Sequence, residues 1–285
     1  KDYEIEVDKD ILLANKYDCE LVLIVSENIE NCIVNCLSVS RNVRALEFLD
    51  FLFEENGIAE GDGYIASGKM SKVIINVFIS QTEQSSSFHY FLQRAETYFK
   101  ETDVISSALN KFSIEGMKKF HKKNVPWAFV KTSELEDLGK QICVKSLENT
   151  AGTHVIVSDD VYIMIGSRGE VYDIKRDKFE KSYIETNEKL NIFESMLDFI
   201  PTVKKIDENK IIAIDEIARI CYPKDGSDIF AKELHRRTKV FGKNNNKDYF
   251  IGKKGDYIAV RTDDLEDIYI IKRDIFFNTY EINDL

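Results

Sequence analysis

"DYIAVRTDDLEDIYIIKRDIFFNTYE", residues 256–281, repeats a pattern already written at 161–184 as "VYIMIGSRGEVYDIKRDKFEKSYI". With two residues gained in the later turn, Tyr162 falls on Tyr257, Ile163 on Ile258, Tyr172 on Tyr269, Phe179 on Phe276 and Tyr183 on Tyr280. Lys-Arg-Asp recurs at 175–177 and 272–274, and the second and third tyrosines are eleven residues apart in both copies. Alternating apolar positions on either side of a Gly- or Asp-rich turn predict a β-hairpin. Phe179 and Tyr183, like Phe276 and Tyr280, are four apart, which predicts a helical turn closing over that hairpin. Asp177 and Asp274 stand at the expected N-caps, and Glu180 completes a capping-box pattern in the first copy. A hairpin with one helical turn buries too little to be stable alone, so each copy needs neighbours.

Outward from the repeat, residues 1–140 read as an α/β domain, a mixed or partly parallel sheet with flanking helices. "ELVLIVS" (20–26), "CIVNCLSV" (32–39) and "KVIINVFIS" (72–80) are apolar runs of strand type. Between them "NVRALEFLDFLFEENG" carries a helical stripe, and "SSFHYFLQRAETYFKE" and "DVISSALNKFSIEGMKKFHKK" read as further helices. An α+β region follows, with a first hairpin module at 141–187, a helical connecting segment at 188–243 and a second hairpin module at 244–285. The Asn-rich tract at 244–246 reads as a solvated turn.

The second copy, "KKGDYIAV" leading to "DIYIIKRDIFFNTYE", resembles the small bacterial and phage module named for its Pro-Gly-Asp-Tyr-Gly motif. Lys254 stands where that family has Pro and Ile258 where it often has Gly, while the first copy has Asp160-Val161-Tyr162 in place of Gly-Asp-Tyr. The resemblance implies a fold and no chemistry; a ligand held by Gly-Asp would be lost from the first copy. "CIVNCLSVSRNVRALEFLDFLF" also resembles the strand, Val-Asn, loop, helix opening of ADP-ribose-binding macrodomains, without their glycine-rich diphosphate loops.

A net charge of −11 argues against wholesale binding to nucleic acid or anionic membrane. The longest apolar runs fall far short of a membrane span. Five cysteines without CxxC spacing fit reduced thiols in the cytoplasm. His89, His121, His154 and His235 are scattered singly, so no metal site is expected, and no cofactor. GxSxG, P-loop, GxGxxG and HExxH are all missing, which leaves catalytic residues unassigned.

Candidate ligand residues are Lys272, Arg273, Asp256 and Tyr257 in the second copy and Lys175 and Arg176 in the first, read either as a paired basic clamp or as strand-to-helix junctions. Asn35 and Arg41 are candidates at an expected strand-to-helix phosphate site. Two basic stretches, 111–123 and 232–247, with Phe112, Phe120 and Phe241, read either as an anionic-partner face or as helix surface over the core. The leading expectation is a non-enzymatic binding protein for an unknown protein partner or small anionic ligand. The alternative is a nucleotide- or ADP-ribose-like-ligand enzyme or sensor in the first domain.

Overall fold

The computed structural model describes residues 4–8, 11–16, 19–39, 43–81, 86–106, 112–192, 195, 197–242 and 249–282. Its contacts divide into two units, Lys1–Thr102 and Asp103–Leu285.

The first unit holds β1 (Glu4–Asp8), β2 (Ile11–Lys16), β3 (Cys19–Glu27), β4 (Asn31–Ser38), α1 (Ala45–Phe53), β5 (Gly57–Gly61), β6 (Ile65–Ser71), α2 (Lys72–Gln81) and α3 (Ser87–Glu101). All six strands pair antiparallel, in the order β1-β2-β3-β4-β6-β5. Along β4, Cys32, Val34 and Cys36 point into the core while Asn35 and Leu37 face outward. The inner face meets Phe48, Leu49 and Phe53 of α1, Ile75 of α2 and Phe91 and Tyr98 of α3.

This corrects the expected α/β domain with a partly parallel sheet. Only residues 28–30 join β3 to β4, and so short a link permits a hairpin but no crossover helix. "KVIINVFIS" is a helix because Ile74, Ile75, Phe78 and Ile79 share one face, leaving Val73 and Val77 exposed. Gly68 sits beneath Phe53, where a Cβ would collide with the ring.

The second unit runs β7 (Asp103–Ser106), β8 (Lys118–Lys122), β9 (Trp127–Lys131), β10 (Gln141–Ser146), β11 (Asn149–Ile156), β12 (Val161–Ile165), β13 (Val171–Lys175), α4 (Arg176–Ser182) and β14 (Tyr183–Lys189). It continues as β15 (Thr202–Lys205), β16 (Lys210–Ala213), β17 (Arg219–Pro223), β18 (Ile229–Glu233), β19 (Thr238–Phe241), β20 (Phe250–Gly252), β21 (Tyr257–Arg261), β22 (Ile268–Ile271), α5 (Arg273–Thr279) and β23 (Tyr280–Ile282). From β17 onward the chain retraces β8 to α4 and β14, element for element. The repeat is therefore much longer than the hairpin and helical turn visible in sequence.

Two five-stranded sheets result, ordered β13-β12-β9-β17-β14 and β22-β21-β18-β8-β23. The leading strands are exchanged. β17, which opens the second copy, lies between β9 and β14 of the first, and β8, which opens the first, lies between β18 and β23 of the second. Each lent strand completes the other copy's core: Cys221 packs with Trp127, Phe129 and Phe179, and Phe120 meets Phe276 edge-on at 4.9 Å. The opposite faces of the sheets pack on two smaller sheets, β11-β10-β15-β16 and β20-β19-β7. Among the described strands, β7 and β19 form the one parallel pair.

The expected helical segment 188–243 is also corrected: it forms β15 to β19, with a short 3-10 turn at Asp215–Ile217. In β18, Ile229 and Ala231 are buried and the residues between and after them are less so, a period of two rather than 3.6. "DVISSALNKFSIEGMKKFHKK" contributes β7 and β8 instead of a helix, which moves the unit boundary from about 140 to 102/103. The Asn tract at 244–246 lies outside the described residues. Among those described, no helix is long and apolar enough to cross a membrane.

Candidate functional site

The Lys-Arg-Asp triads lie on separate sheets, and in each the arginine is paired locally. The Asp256 carboxylate, 1% exposed, accepts from the Lys253 N–H at 2.9 Å, the Arg273 N–H at 3.2 Å and Lys272 Nζ at 3.2 Å. Gly255, at φ +93°, makes the turn that aims Asp256 inward. Lys272 also donates to the Ile251 carbonyl, and Arg273 pairs with Glu233 at 3.3 Å. Tyr257 stacks on Phe276 with ring centres 3.8 Å apart. In the first copy Lys175 is exposed and Arg176 pairs with Glu180 at 2.7 Å.

Asp177 and Asp274 are not N-caps. The helices start earlier, with Lys175 and Lys272 at the cap positions, so both acids fall in the first turn, where they still favour the helix dipole. Asp274 instead pairs with Arg168 from the first hairpin's turn, and Lys178 of α4 pairs with Asp267 from the second hairpin's turn at 2.7 Å. Each turn thus docks on the other copy's helix.

Asn35 sits mid-strand on the exposed face of the first sheet, paired across to Ile24 and Ser67, away from any helix N-terminus. Arg41 lies outside the described residues. Phe112, Phe120 and Phe241 belong to core clusters or bury against Tyr249, so they offer no stacking platform. Among the described residues no three His, Cys, Asp or Glu side chains gather as metal ligands.

A different cluster forms where the exchanged strands end. Lys122 closes β8 and faces Tyr280 in register; the short loop 123–126 then brings Trp127 back at the start of β9. Lys122 Nζ lies 4.7 Å from the Trp127 ring centre, 4.5 Å from Tyr183 and 5.8 Å from Tyr280. It donates to the Tyr183 hydroxyl, which lies 3.3 Å from that of Tyr172. Tyr269 and Tyr280 form the equivalent hydrogen-bonded pair in the second copy.

Removal from water, and then the nearby Arg261 guanidinium, pulls Lys122 down to about 7. Burial pushes Tyr172, Tyr183 and Tyr269 well above the usual phenol range and Tyr280 up to about 12. These hydroxyls therefore remain proton donors at neutral pH. Among the described residues no carboxylate pairs with Lys122. The Trp127 indole N–H, buried in the same cage, also lacks a hydrogen-bond acceptor there. Beside the cage opens a cleft of about 500 Å³ that Lys122 itself lines, with His121, Asn124, Lys224, Ser227 and Asp228.

The tyrosines are duplicated; the lysine and the tryptophan are not. Pro223 faces Tyr183 as Lys122 faces Tyr280, and Ile229 opens β18 as Trp127 opens β9. Neither residue stands out in the sequence, where Lys122 is one charge in the basic stretch 111–123. The available signal was that Trp127 is the chain's single tryptophan. A second concavity, around Glu136, is neutralised from within, because Lys205 at 3.0 Å and Lys140 at 3.2 Å both pair with that carboxylate. Comparison with protein-family models, with curated proteins and with solved structures gives no match to this chain.

Proposed function

We propose that the protein is a non-enzymatic binding protein that holds a small anion in the cleft beside Lys122. The observation that carries this reading is a paired deficit: an ammonium without a counter-anion and an indole N–H without an acceptor, enclosed by the same rings. Leaving a buried N–H unsatisfied costs about 1–3 kcal/mol. Lys224, Asn124 and Ser227 add hydrogen-bonding groups to a lining that also carries Asp225 and Asp228, the latter paired with Lys119 at 2.6 Å. The clamp reading for Lys175, Arg176, Lys272 and Arg273 is less well supported, because the second copy's charges are already paired with Asp256 and Glu233. The nucleotide reading takes the joint between the strand at 32–39 and the following helix as a phosphate site, and it is less well supported because Asn35 stands mid-strand on the exposed face of the sheet.

Thermal denaturation in the presence of small carboxylates, phosphate and nucleotides tests the proposal. A matching anion at about 100 times its Kd is expected to stabilise the protein by roughly 2.7 kcal/mol. Lys122→Met should remove that gain, and replacement of the exposed Lys189 should leave it intact. Stabilisation that survives in Lys122→Met would count against the site.

A further inference from the structure

Lys122 offers more than a fixed charge. Lys122 lines an open cleft, and its Nζ touches a phenol hydroxyl that is backed by a second phenol 3.3 Å from the first. No carboxylate locks it in the ammonium form, and the duplication did not reproduce it, since Pro223 stands at the matching place. Taking the anion-binding reading as its premise, we infer that Lys122 is a carbonyl-trapping amine that forms a reversible imine with a small aldehyde or 2-oxo acid entering the cleft.

The step balances within the site. The Nζ lone pair attacks the carbonyl carbon and forms the C–N bond. The C=O π pair moves to oxygen, which takes a proton from the Tyr183 hydroxyl while nitrogen returns one through the Tyr183–Tyr172 pair. The resulting hydroxyl takes a second proton from Tyr183 and leaves as water. Nitrogen gives its remaining proton back to the same phenol pair as the C=N bond forms, so one carbonyl and one amine give one imine and one water. A ligand carboxylate would meet Lys224, Asn124 and Ser227 in the cleft lining, which also holds Asp225 and Asp228. Dehydration by the surrounding rings keeps a large share of the amine unprotonated near neutral pH, which is how buried lysines become nucleophiles.

The experiment treats the full chain with glyoxylate and cyanoborohydride, which reduces any imine to a stable carboxymethyl-amine, followed by peptide mapping. Glycolate, which has the carboxylate but no carbonyl, serves in parallel as the non-covalent ligand. Lys122 should be labelled at least about tenfold faster than exposed lysines such as Lys175, because dehydration in the cage leaves a large share of its amine unprotonated near neutral pH. Tyr183→Phe should slow labelling while glycolate still stabilises the protein, and Lys122→Arg should abolish fast labelling with the circular dichroism spectrum unchanged. Even labelling across surface lysines, with stabilisation by glycolate retained, overturns the covalent step and leaves the anion site standing. Even labelling with no glycolate effect overturns both.

Discussion

Asp256 joins two backbone N–H groups and one ammonium inside a buried turn, so its loss leaves both N–H groups without this acceptor and Lys272 with only the Ile251 carbonyl. Asp256→Ala is expected to cost about 2–4 kcal/mol in urea denaturation. Asp160, its near-equivalent in the first copy, is exposed, and there Thr132 takes over by bonding the Ser158 and Val161 carbonyls; Asp160→Ala should change stability by less than about 0.5 kcal/mol. Lys122 makes a second residue-level prediction. Its folded value, about 7, lies below the unfolded value near 10.4, so between those pH values the unfolded chain holds the extra proton. Stability should therefore rise with pH from about 7 toward about 10, and equilibrium denaturation of Lys122→Met should show a flatter profile. Above about 10 the raised tyrosines act the other way, because the unfolded phenols then ionise first.

The exchanged strands tie each copy's core to a segment that belongs, by sequence, to the other. Phe120→Ala is expected to cost about 3–5 kcal/mol. Hydrogen exchange should show the lost protection in β18 and β23 of the second copy, alongside β8; loss confined to β9 and β12 would contradict the exchange. The hairpins were legible because alternating residues and evenly spaced tyrosines repeat locally. The exchange was not, since β8 and β17 bury the same alternate residues whichever sheet they join, and register alone does not name the partner. Nor did propensity separate strand from helix in "KVIINVFIS", where β-branched residues line a helix that tertiary packing imposes. The candidate site was the least legible part: Lys122 and Trp127 meet through a loop and a lent strand.

At the scale of the molecule, an antiparallel sheet with its helices on one face and a strand-exchanged double module share an acidic chain. Duplicated parts, such as the Phe–Tyr stacks at 5.5 Å in both copies, account for the fold. The unduplicated pair, Lys122 and Trp127, carries the proposed anion site. Because Trp127 is the only tryptophan, its fluorescence reports on this site alone. Titration with glycolate, glyoxylate and phosphate should give a saturable change in Trp127 emission that Lys122→Met abolishes. Emission that stays unchanged for every anion, or a change that persists undiminished in Lys122→Met, would contradict the account.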